Sequence, residues 1–303
     1  MTGSEAAGLG LALLSAACLN WGFLRQHDTV SGLPALTLRR PIASLRLLFA
    51  NLRWLVGFVV GLAGWALYVA ALRLAPLSLV QAVSAGGIGL LALLVERTTA
   101  TRLSRREWAG VAAAVVGLLL LGLSLAGGGH VGGSDHAPGM VGLWLVGSLA
   151  AAALLAGPLA PRLAGGAGFG LAAGTLYAAG DVATKAAVGG SAIVLFTAAV
   201  LACHGLAFAV LQLGFQRGSA LATAGVSTLA MNALPIAAGT LLFGEAVPGG
   251  AQGAARVLAF ACVVLGAALL ACGEPGSGAG HVPGTESQAV SASRAASTSS
   301  VVL

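Results

Sequence analysis

Asp181 and Lys185 are the two residues whose types and spacing best suit chemistry in this sequence. They end the stretch "GFGLAAGTLYAAGDVATK", which is otherwise uncharged. Because a spacing of four residues places two side chains on one face of a helix, the carboxylate and the ammonium group would lie within reach of each other. Such a pair can bind and release a proton or a cation, or it can be a purely structural ion pair.

A second group of polar side chains lies within long apolar runs of the sequence. His204 can accept or donate a proton because histidine titrates near neutral pH, and a neutral histidine packed in a core is the alternative. The amide, hydroxyl and phenol groups of the others can line a cavity or hydrogen-bond neighbouring helices. These other residues are Asn20, Gln81, Ser84, Tyr177, Thr223, Ser227 and Asn232.

The composition indicates that the apolar runs cross a membrane. The chain has 303 residues, of which 58% are hydrophobic and 8% are charged, whereas about 25% of the residues of a soluble domain are charged. A helix needs about 20 apolar residues to cross a hydrocarbon layer of about 30 Å. A helix suits this layer because its backbone N–H and C=O groups hydrogen-bond to one another. Runs of this kind occupy residues 7–24, 55–72, 77–95, 108–125, 140–159, 168–188, 192–215, 220–243 and 257–271. We therefore predict an all-α membrane protein with about nine transmembrane helices.

Within these nine runs Asp181 is the only acid and Lys185 the only base. A charge at mid-membrane costs about 2.5–3.5 kcal/mol on insertion scales, so such residues are usually paired, turned towards the bundle interior or functional. In one interpretation Lys185 extends to the outer surface and Asp181 accompanies it as a structural ion pair. In the other, Asp181 lines a central cavity and binds a proton or a cation, which Lys185 releases when the conformation changes.

The basic residues predict the orientation of the helices. Cytoplasmic loops of membrane proteins collect Lys and Arg, and most of the 15 basic residues follow the first, third, fifth and seventh runs or lie in the tail. We therefore expect an outside amino terminus and a cytoplasmic carboxyl terminus, in the plasma membrane. Residues 25–53 combine Arg with Leu at helical spacing, which predicts an amphipathic helix on the inner membrane surface. The net charge of +6 suits contact with anionic lipid, and no nucleic-acid partner is expected.

Three pairs of segments indicate an internal repeat. "LLVERTTATRLSRREWAGVAAAVVGLLL" and "LLFGEAVPGGAQGAARVLAFACVVLGAALL" align Glu96 with Glu245 and Gly117 with Gly266. Similarly, "LRLAPLSLVQAVS" pairs with "FQRGSALATAGVS", and "GLGLALLSAACLNWGFLR" with "GFGLAAGTLYAAGDVATK". Helices 1 to 4 then match helices 6 to 9. Since an offset of five helices is odd, matching helices run in opposite directions, which predicts an inverted 4+1+4 repeat suited to alternating access.

This repeat divides the chain into four parts. Residues 1–126 form the first membrane repeat, 127–160 an outer loop and linking helix 5, 161–272 the second membrane repeat, and 273–303 a disordered cytoplasmic tail. Gln81 with Ser84 and Thr223 with Ser227 then fall on facing helices, where they suit a cavity wall.

Glu96 and Glu245 stand at helix ends, on opposite sides of the membrane in this arrangement. Each can be a solvated or capping residue, or a gate.

Several motifs resemble those of the drug/metabolite transporter superfamily. They are "LAPLSLVQAVSA" in an acid-ended helix, the acidic turn "GEAVP" before the final helix, and the inverted halves. Nine spans, an outside amino terminus, the basic segment after helix 1 and "ALRLAPLSLVQ" are more similar to NIPA-type magnesium transporters and related bacterial proteins than to the ten-span EamA type. The resemblance covers nearly all of residues 7–272, and helix 8, "STLAMNALPIAAG", departs from it by not copying helix 3 closely. It implies a bundle of that superfamily's type that transports by alternating access.

Three functions are compatible with these residues. The first is a secondary transporter of a small metabolite or drug-like solute, coupled to protons. The second is a Mg²⁺ transporter, in which Asp181 is the metal ligand at depth and the ion passes largely hydrated, because Mg²⁺ keeps its water. The third is a membrane scaffold without transport activity. No nucleophile, base and orienting group assemble, so we expect neither an enzyme nor a bound cofactor, and we expect a monomer or a homodimer.

Overall fold

The described part of the chain is helical. The computed structural model describes residues 3–37, 40–74, 77–99, 102–125, 138–163, 165–189, 192–242 and 249–271. The helices are α1 (Gly3–Val30), α2 (Pro41–Phe49), α3 (Leu52–Leu74), α4 (Leu77–Thr99), α5 (Arg105–Leu125), α6 (Pro138–Ala156), α7 (Ala167–Gly189), α8 (Ile193–Arg217), α9 (Ala220–Leu242) and α10 (Gly250–Ala271), with a 3-10 turn at Ala160–Arg162. The prediction of an all-α fold is confirmed for these residues.

The long helices coincide with the nine apolar runs. By length and composition, α1, α5, α6, α8, α9 and α10 can cross a membrane, and a seventh span results if α2 and α3 are counted as one bent span. Within the described ranges, α4 and α7 are not among these candidates. The structure therefore gives six or seven candidate spans, and the count of nine stays a prediction.

The short helix α2 turns the chain by 90° where α3 begins. Its Ile42, Leu45 and Phe49 side chains are exposed, whereas Leu48 is buried. A short helix with an exposed apolar face, set across a longer apolar helix, has the geometry of a helix that lies in a membrane surface. Within residues 25–53 the structure places the short helix α2 between the end of α1 and the start of α3, and its position on the inner membrane surface stays a prediction.

Helix packing follows the same scheme in the two halves of the chain. In the first half α1 packs on α3 and α4, and α4 packs on α5. In the second half α7 packs on α8 and α9, and α9 packs on α10. The halves meet mainly where α5 packs along α10, and α6 packs on α7. Sequence position and packing partners therefore agree between α1, α3, α4, α5 and α7, α8, α9, α10.

Small residues allow the closest of these contacts. A Cβ atom on Gly22 of α1 would lie 2.7 Å from the carbonyl oxygen of Gly57 on α3. Because membrane helices associate through such small residues, a glycine-rich composition suits this packing. Most of the predicted outer loop and the tail, 273–303, fall outside the described residues.

Candidate functional site

Asp181 on α7 and His204 on α8 form an ion pair between two helices. His204 Nε2 lies 3.5 Å from Asp181 Oδ1, and the two side chains are 38% and 46% exposed. Lys185, the partner that the spacing predicts, has a side chain outside the described residues. The described partner of Asp181 is therefore a histidine on the next helix, 23 positions later in the sequence.

The hydrogen bond of His204 to its own helix determines which ring nitrogen carries a hydrogen. Its Nδ1 lies 3.0 Å from the carbonyl oxygen of Val200, one turn earlier in α8. Since a carbonyl oxygen only accepts hydrogen bonds, Nδ1 carries a hydrogen. In a neutral imidazole Nε2 then carries no hydrogen, and its lone pair faces the Asp181 carboxylate. A proton on either Nε2 or Asp181 makes the contact attractive. The pair is therefore a position at which one proton can be held.

Two tyrosines and a glycine complete the surroundings of the pair. The Tyr177 ring, one turn before Asp181, meets the His204 ring edge to face at a centroid distance of 5.7 Å. Tyr68 on α3 is close enough to Asp181 for an electrostatic interaction. A Cβ atom on Gly180 would overlap the His204 ring. The missing side chain at Gly180 therefore lets α8 bring His204 against α7.

An aromatic layer, formed by Trp54 and Phe58 of α3 and Phe208 of α8, lies on one side of the pair. Trp54 and Phe58 are stacked at 5.2 Å, and Phe208 meets Phe58 edge on at 5.7 Å. Phe208 follows His204 by one helical turn, so the layer is next to the ion pair. The layer joins helices from the two halves of the chain.

A buried chain of hydrogen bonds extends this layer. Trp54 Nε1 donates to Gln212 Oε1 at 3.0 Å, and Gln212 Nε2 donates to Gln26 Oε1 at 2.7 Å. All three side chains are at most 5% exposed. Buried amides that satisfy one another in a low-dielectric interior hold their helices in one arrangement. α1 and α3 of the first half are thereby fastened to α8 of the second.

More hydrogen bonds join the two halves at the end of the bundle where α1 and α8 both end. We call it the basic end, because the Arg-rich segment between α1 and α3 follows there. His27 Nε2 lies 2.8 Å from the carbonyl oxygen of Gly218. Gln216 Nε2 donates to the carbonyl oxygen of Leu33 at 3.0 Å, and Gln216 Oε1 accepts from the Leu36 amide at 2.8 Å. The basic end is thus closed by contacts between the two halves.

The other predicted site residues do not converge on the ion pair in the described part of the chain. Asn20 and Asn232 donate to carbonyl oxygens of their own helices, those of Ala16 and Thr228, each at 2.7 Å. Asn20 also lies in the α1–α4 contact, where a Cβ atom on Gly87 would approach its Nδ2 to 2.9 Å. In this conformation Asn20 therefore serves helix packing, whereas the described hydrogen bond of Asn232 stays within its own helix.

The predicted cavity wall is described on one side only. Thr223 and Ser227 of α9 are buried, and Thr223 Oγ1 donates to the Gly214 carbonyl oxygen at 3.3 Å. They lie against α7, where Gly170 and Gly174 leave room for the α9 backbone. Their predicted partners Gln81 and Ser84 have side chains outside the described residues.

Glu96 accepts two hydrogen bonds at the end of α4. The donors are the Leu103 backbone amide, at 3.0 Å, and Trp108 Nε1, at 3.3 Å. The carboxylate therefore holds the turn between α4 and α5, and its role as a gate stays a prediction. Glu245 lies outside the described residues.

Sequence reasoning missed Tyr68, the Trp54–Gln212–Gln26 chain and a buried arginine. Arg256 of α10 is 8% exposed, and its Nε donates to Ser124 Oγ at 3.4 Å. Polar residues inside or beside apolar runs were the available indication. Their partners come from other helices, which spacing along one helix does not reveal.

Comparison with known proteins gives one distant relative. A stretch of 112 residues is 31% identical to an Arabidopsis thaliana protein described as "Probable magnesium transporter NIPA9". The match spans 37% of this chain and 32% of that protein, about a third of the relative's length. No protein-family model and no solved structure matches the chain. This likeness and the six candidate spans support a multi-pass membrane protein, while membership of the drug/metabolite transporter superfamily stays a prediction.

Proposed function

We propose that the chain is a secondary transporter that moves a small solute across a membrane by alternating access and couples this movement to a proton at Asp181 and His204. The observation that carries the proposal is the Asp181–His204 contact, which needs one proton and lies where α7 and α8 approach α3 of the other half. We also infer that the protein is not an enzyme, on the sequence grounds given above.

Symmetric contacts between α5 and α10 support the inverted repeat that alternating access requires. The alignment of Gly117 with Gly266 offsets the two halves by 149 positions. A Cβ atom on Gly117 would lie 2.9 Å from the Val263 amide nitrogen, and one on Gly266 would lie 2.9 Å from that of Ala114. Val263 and Ala114 are themselves 149 positions apart. Such reciprocal contacts are expected of a two-fold interface.

The direction of these contacts supports opposite orientations of the two halves. The later glycine of α5, Gly117, meets the earlier part of α10 at Ala259 and Val263. Gly266, later in α10, meets the earlier part of α5 at Gly110 and Ala114. The two helices are therefore antiparallel. Inverted halves are related by a two-fold axis in the membrane plane, and two matched helices that pack on each other at that axis must run in opposite directions.

The closed basic end supports one of the two access states. By the positive-inside rule this end faces the cytoplasm. The aromatic layer and the Gln26–Gln212 bond lie between Asp181 and that side, whereas the Asp181 and His204 side chains are themselves partly exposed. We therefore assign this conformation to the outward-facing state.

The proposed coupling follows from charge. A proton shared by Asp181 and His204 leaves the pair neutral overall, with the histidine and the acid holding each other. When a cationic or polar substrate approaches the carboxylate, it competes with that proton. Release of the proton and binding of the substrate then alternate with the exchange of the inward-facing and outward-facing states. Lys185, on the same face of α7 by its spacing, can displace the substrate when the halves rearrange.

Flux through reconstituted vesicles tests this proposal. Asp181→Asn and His204→Gln should each lower proton-coupled uptake at least about tenfold, because each removes a group that holds the transported proton. The matched control is Thr184→Val on the same helix, since Thr184 Oγ1 donates at 2.9 Å to the Gly180 carbonyl oxygen of its own helix. The control should fold and transport normally. Unchanged flux in both site variants would overturn the proposal and favour the scaffold.

Mg²⁺ is the second candidate substrate, and the distant likeness to a probable magnesium transporter favours it. The described residues hold no group of three His, Cys, Asp or Glu side chains that could enclose a metal ion. Mg²⁺ keeps several waters and binds through one or two carboxylates, so Asp181 would contact a hydrated ion. Uptake of Mg²⁺ into vesicles that contain a magnesium-sensitive dye separates the two candidates. A dye response that Asp181→Asn abolishes identifies Mg²⁺ as the substrate.

A further inference from the structure

A cavity of about 230 Å³ opens at the basic end, away from the Asp181–His204 pair. It lies where α7 begins and where α6 and α8 finish, and the segment between α1 and α2 closes one side. Its walls combine apolar side chains with the hydroxyl-bearing Thr37 and one cation. The lining includes Leu36, Phe169, Val210, Leu213 and Arg217.

The cation of this cavity is exposed and rests on an aromatic ring. The Arg217 guanidinium stacks on the Phe169 ring at 4.5 Å from its centroid. Stacking occupies the face of the guanidinium and leaves its N–H groups at the edge available for hydrogen bonds. Among the described residues no carboxylate forms an ion pair with Arg217. The site therefore presents an oriented positive group that an anion can complete.

The remaining walls suit a hydrocarbon chain. Leu36, Val210 and Leu213 are at most 5% exposed, and Phe169 is 8% exposed, so the apolar part of the lining is shielded. A free phosphate ion gains nothing from such a lining, whereas a phospholipid places its phosphate on the arginine and its acyl chain against the apolar walls. Basic pockets between helices on the cytoplasmic side are suited to anionic lipid headgroups.

We propose that this cavity, between α6, α7, α8 and the segment before α2, binds one anionic phospholipid of the inner leaflet, with the lipid phosphate on Arg217. The lipid joins α8 to the α1–α2 segment at the point where the two halves meet, and it therefore stabilises the closed basic end. This site differs from the proposed transport site, and its test does not depend on transport.

Lipid binding to the purified full-length protein tests the proposal. Native mass spectrometry and thermal unfolding in detergent are measured with added phosphatidylglycerol, with phosphatidylcholine and with soluble glycerol 3-phosphate. Phosphatidylglycerol should bind in a ratio of one to one and raise the melting temperature, because a ligand that binds only the folded state stabilises it. Arg217→Gln should weaken that binding about tenfold or more, since it removes hydrogen bonds to a charged group.

A second arginine provides the matched control. Arg25 stacks on Trp21 at 5.1 Å, and it does not line this cavity. Arg25→Gln, which removes the same charge and the same kind of stacking, should leave phosphatidylglycerol binding unchanged. Should Arg217→Gln fail to fold, Val210→Phe, which fills the cavity and keeps the arginine, should lower the binding instead. Equal effects of phosphatidylcholine, full stabilisation by glycerol 3-phosphate, or full lipid binding by both cavity variants would overturn the proposal.

Discussion

At the scale of single residues, the sequence identifies Asp181 because it is the only acid within the nine apolar runs. Its described partner could not be predicted, because His204 belongs to another helix and the contact depends on how α7 and α8 pack. Gln26 and Gln212, separated by 186 positions, illustrate the same limit. Each amide alone indicates only a polar group at a helix end, and only the packed structure joins them.

Trp54→Phe should destabilise the protein although the aromatic ring is kept. The change removes the Nε1 donor of Gln212 Oε1, and Gln212 is only 1% exposed. A buried acceptor left without its donor costs about 1–3 kcal/mol. Thermal unfolding of the purified protein measures the loss, and the triple variant Trp54→Phe, Gln212→Leu, Gln26→Leu should recover part of it because all three hydrogen-bonding partners are then removed together.

Trp65→Phe on the same helix is the control for this prediction, since the Trp65 side chain is 59% exposed. A substitution at such a surface position changes stability by about 0.5 kcal/mol or less. Equal melting temperatures for the two tryptophan variants would mean that the buried hydrogen bond does not stabilise the closed basic end.

Gly180→Ala should impair proton-coupled flux and lower stability. The added methyl group overlaps the His204 ring, so the ring must turn away from Asp181 or the helices must separate. Overpacking of this kind costs about 1–3 kcal/mol. Gly205→Ala is the control, because a Cβ atom there has no neighbour within 4 Å. Vesicle uptake that is equally fast in both variants would remove His204 from the proposed site.

At the scale of elements, the apolar runs predicted where helices occur and misplaced several ends. The first run stops before Arg25, yet α1 continues to Val30, because Gln26 is satisfied by Gln212 of α8 and His27 by Gly218, the residue that follows α8. Contacts with distant helices thus extend a helix past its charged residues. A window of hydropathy does not contain this information, since it counts a polar residue in the same way with or without a partner.

The start of α10 shows the same effect. The last apolar run begins after Arg256, whereas α10 begins at Gly250 and includes that arginine. Arg256 donates to Ser124 of α5, so its charge lies within the α5–α10 contact and not at a helix boundary. The contact that contains this arginine is also the one in which Gly117 and Gly266 pack reciprocally.

Gly117→Ala and Gly266→Ala should destabilise the protein by similar amounts, about 1–3 kcal/mol each. In each variant the new Cβ atom would lie 2.9 Å from a backbone nitrogen of the facing helix, so α5 and α10 must move apart. Gly142→Ala on α6 is the control, because a Cβ atom there has no neighbour within 4 Å. Thermal unfolding compares the three. A large effect at one glycine and none at the other would contradict a symmetric interface.

At the scale of the whole molecule, the sequence predicted two related halves from three short alignments. The packing scheme and the reciprocal contacts of α5 and α10 agree with that prediction. Six or seven of the described helices qualify as spans, so the number of membrane crossings is not settled by the helices alone. The inversion requires that matching helices are separated by an odd number of crossings. The antiparallel packing of α5 on α10 predicts that these two helices begin on opposite sides of the membrane, and membrane topology tests this prediction.

Labelling of single cysteines decides it. In a background with Cys18, Cys203, Cys262 and Cys272 replaced by alanine, Arg102→Cys lies between α4 and α5, and Gly249→Cys lies just before α10. Both positions are exposed, and the alignment makes these two connections equivalent. With inverted halves, a maleimide that does not cross membranes should label Gly249→Cys from outside and Arg102→Cys only after the cells are opened. Transport by both variants verifies that they fold. Labelling of both cysteines from the same side would contradict the antiparallel packing of α5 on α10, and the exchange of two equivalent conformations would lose its structural basis.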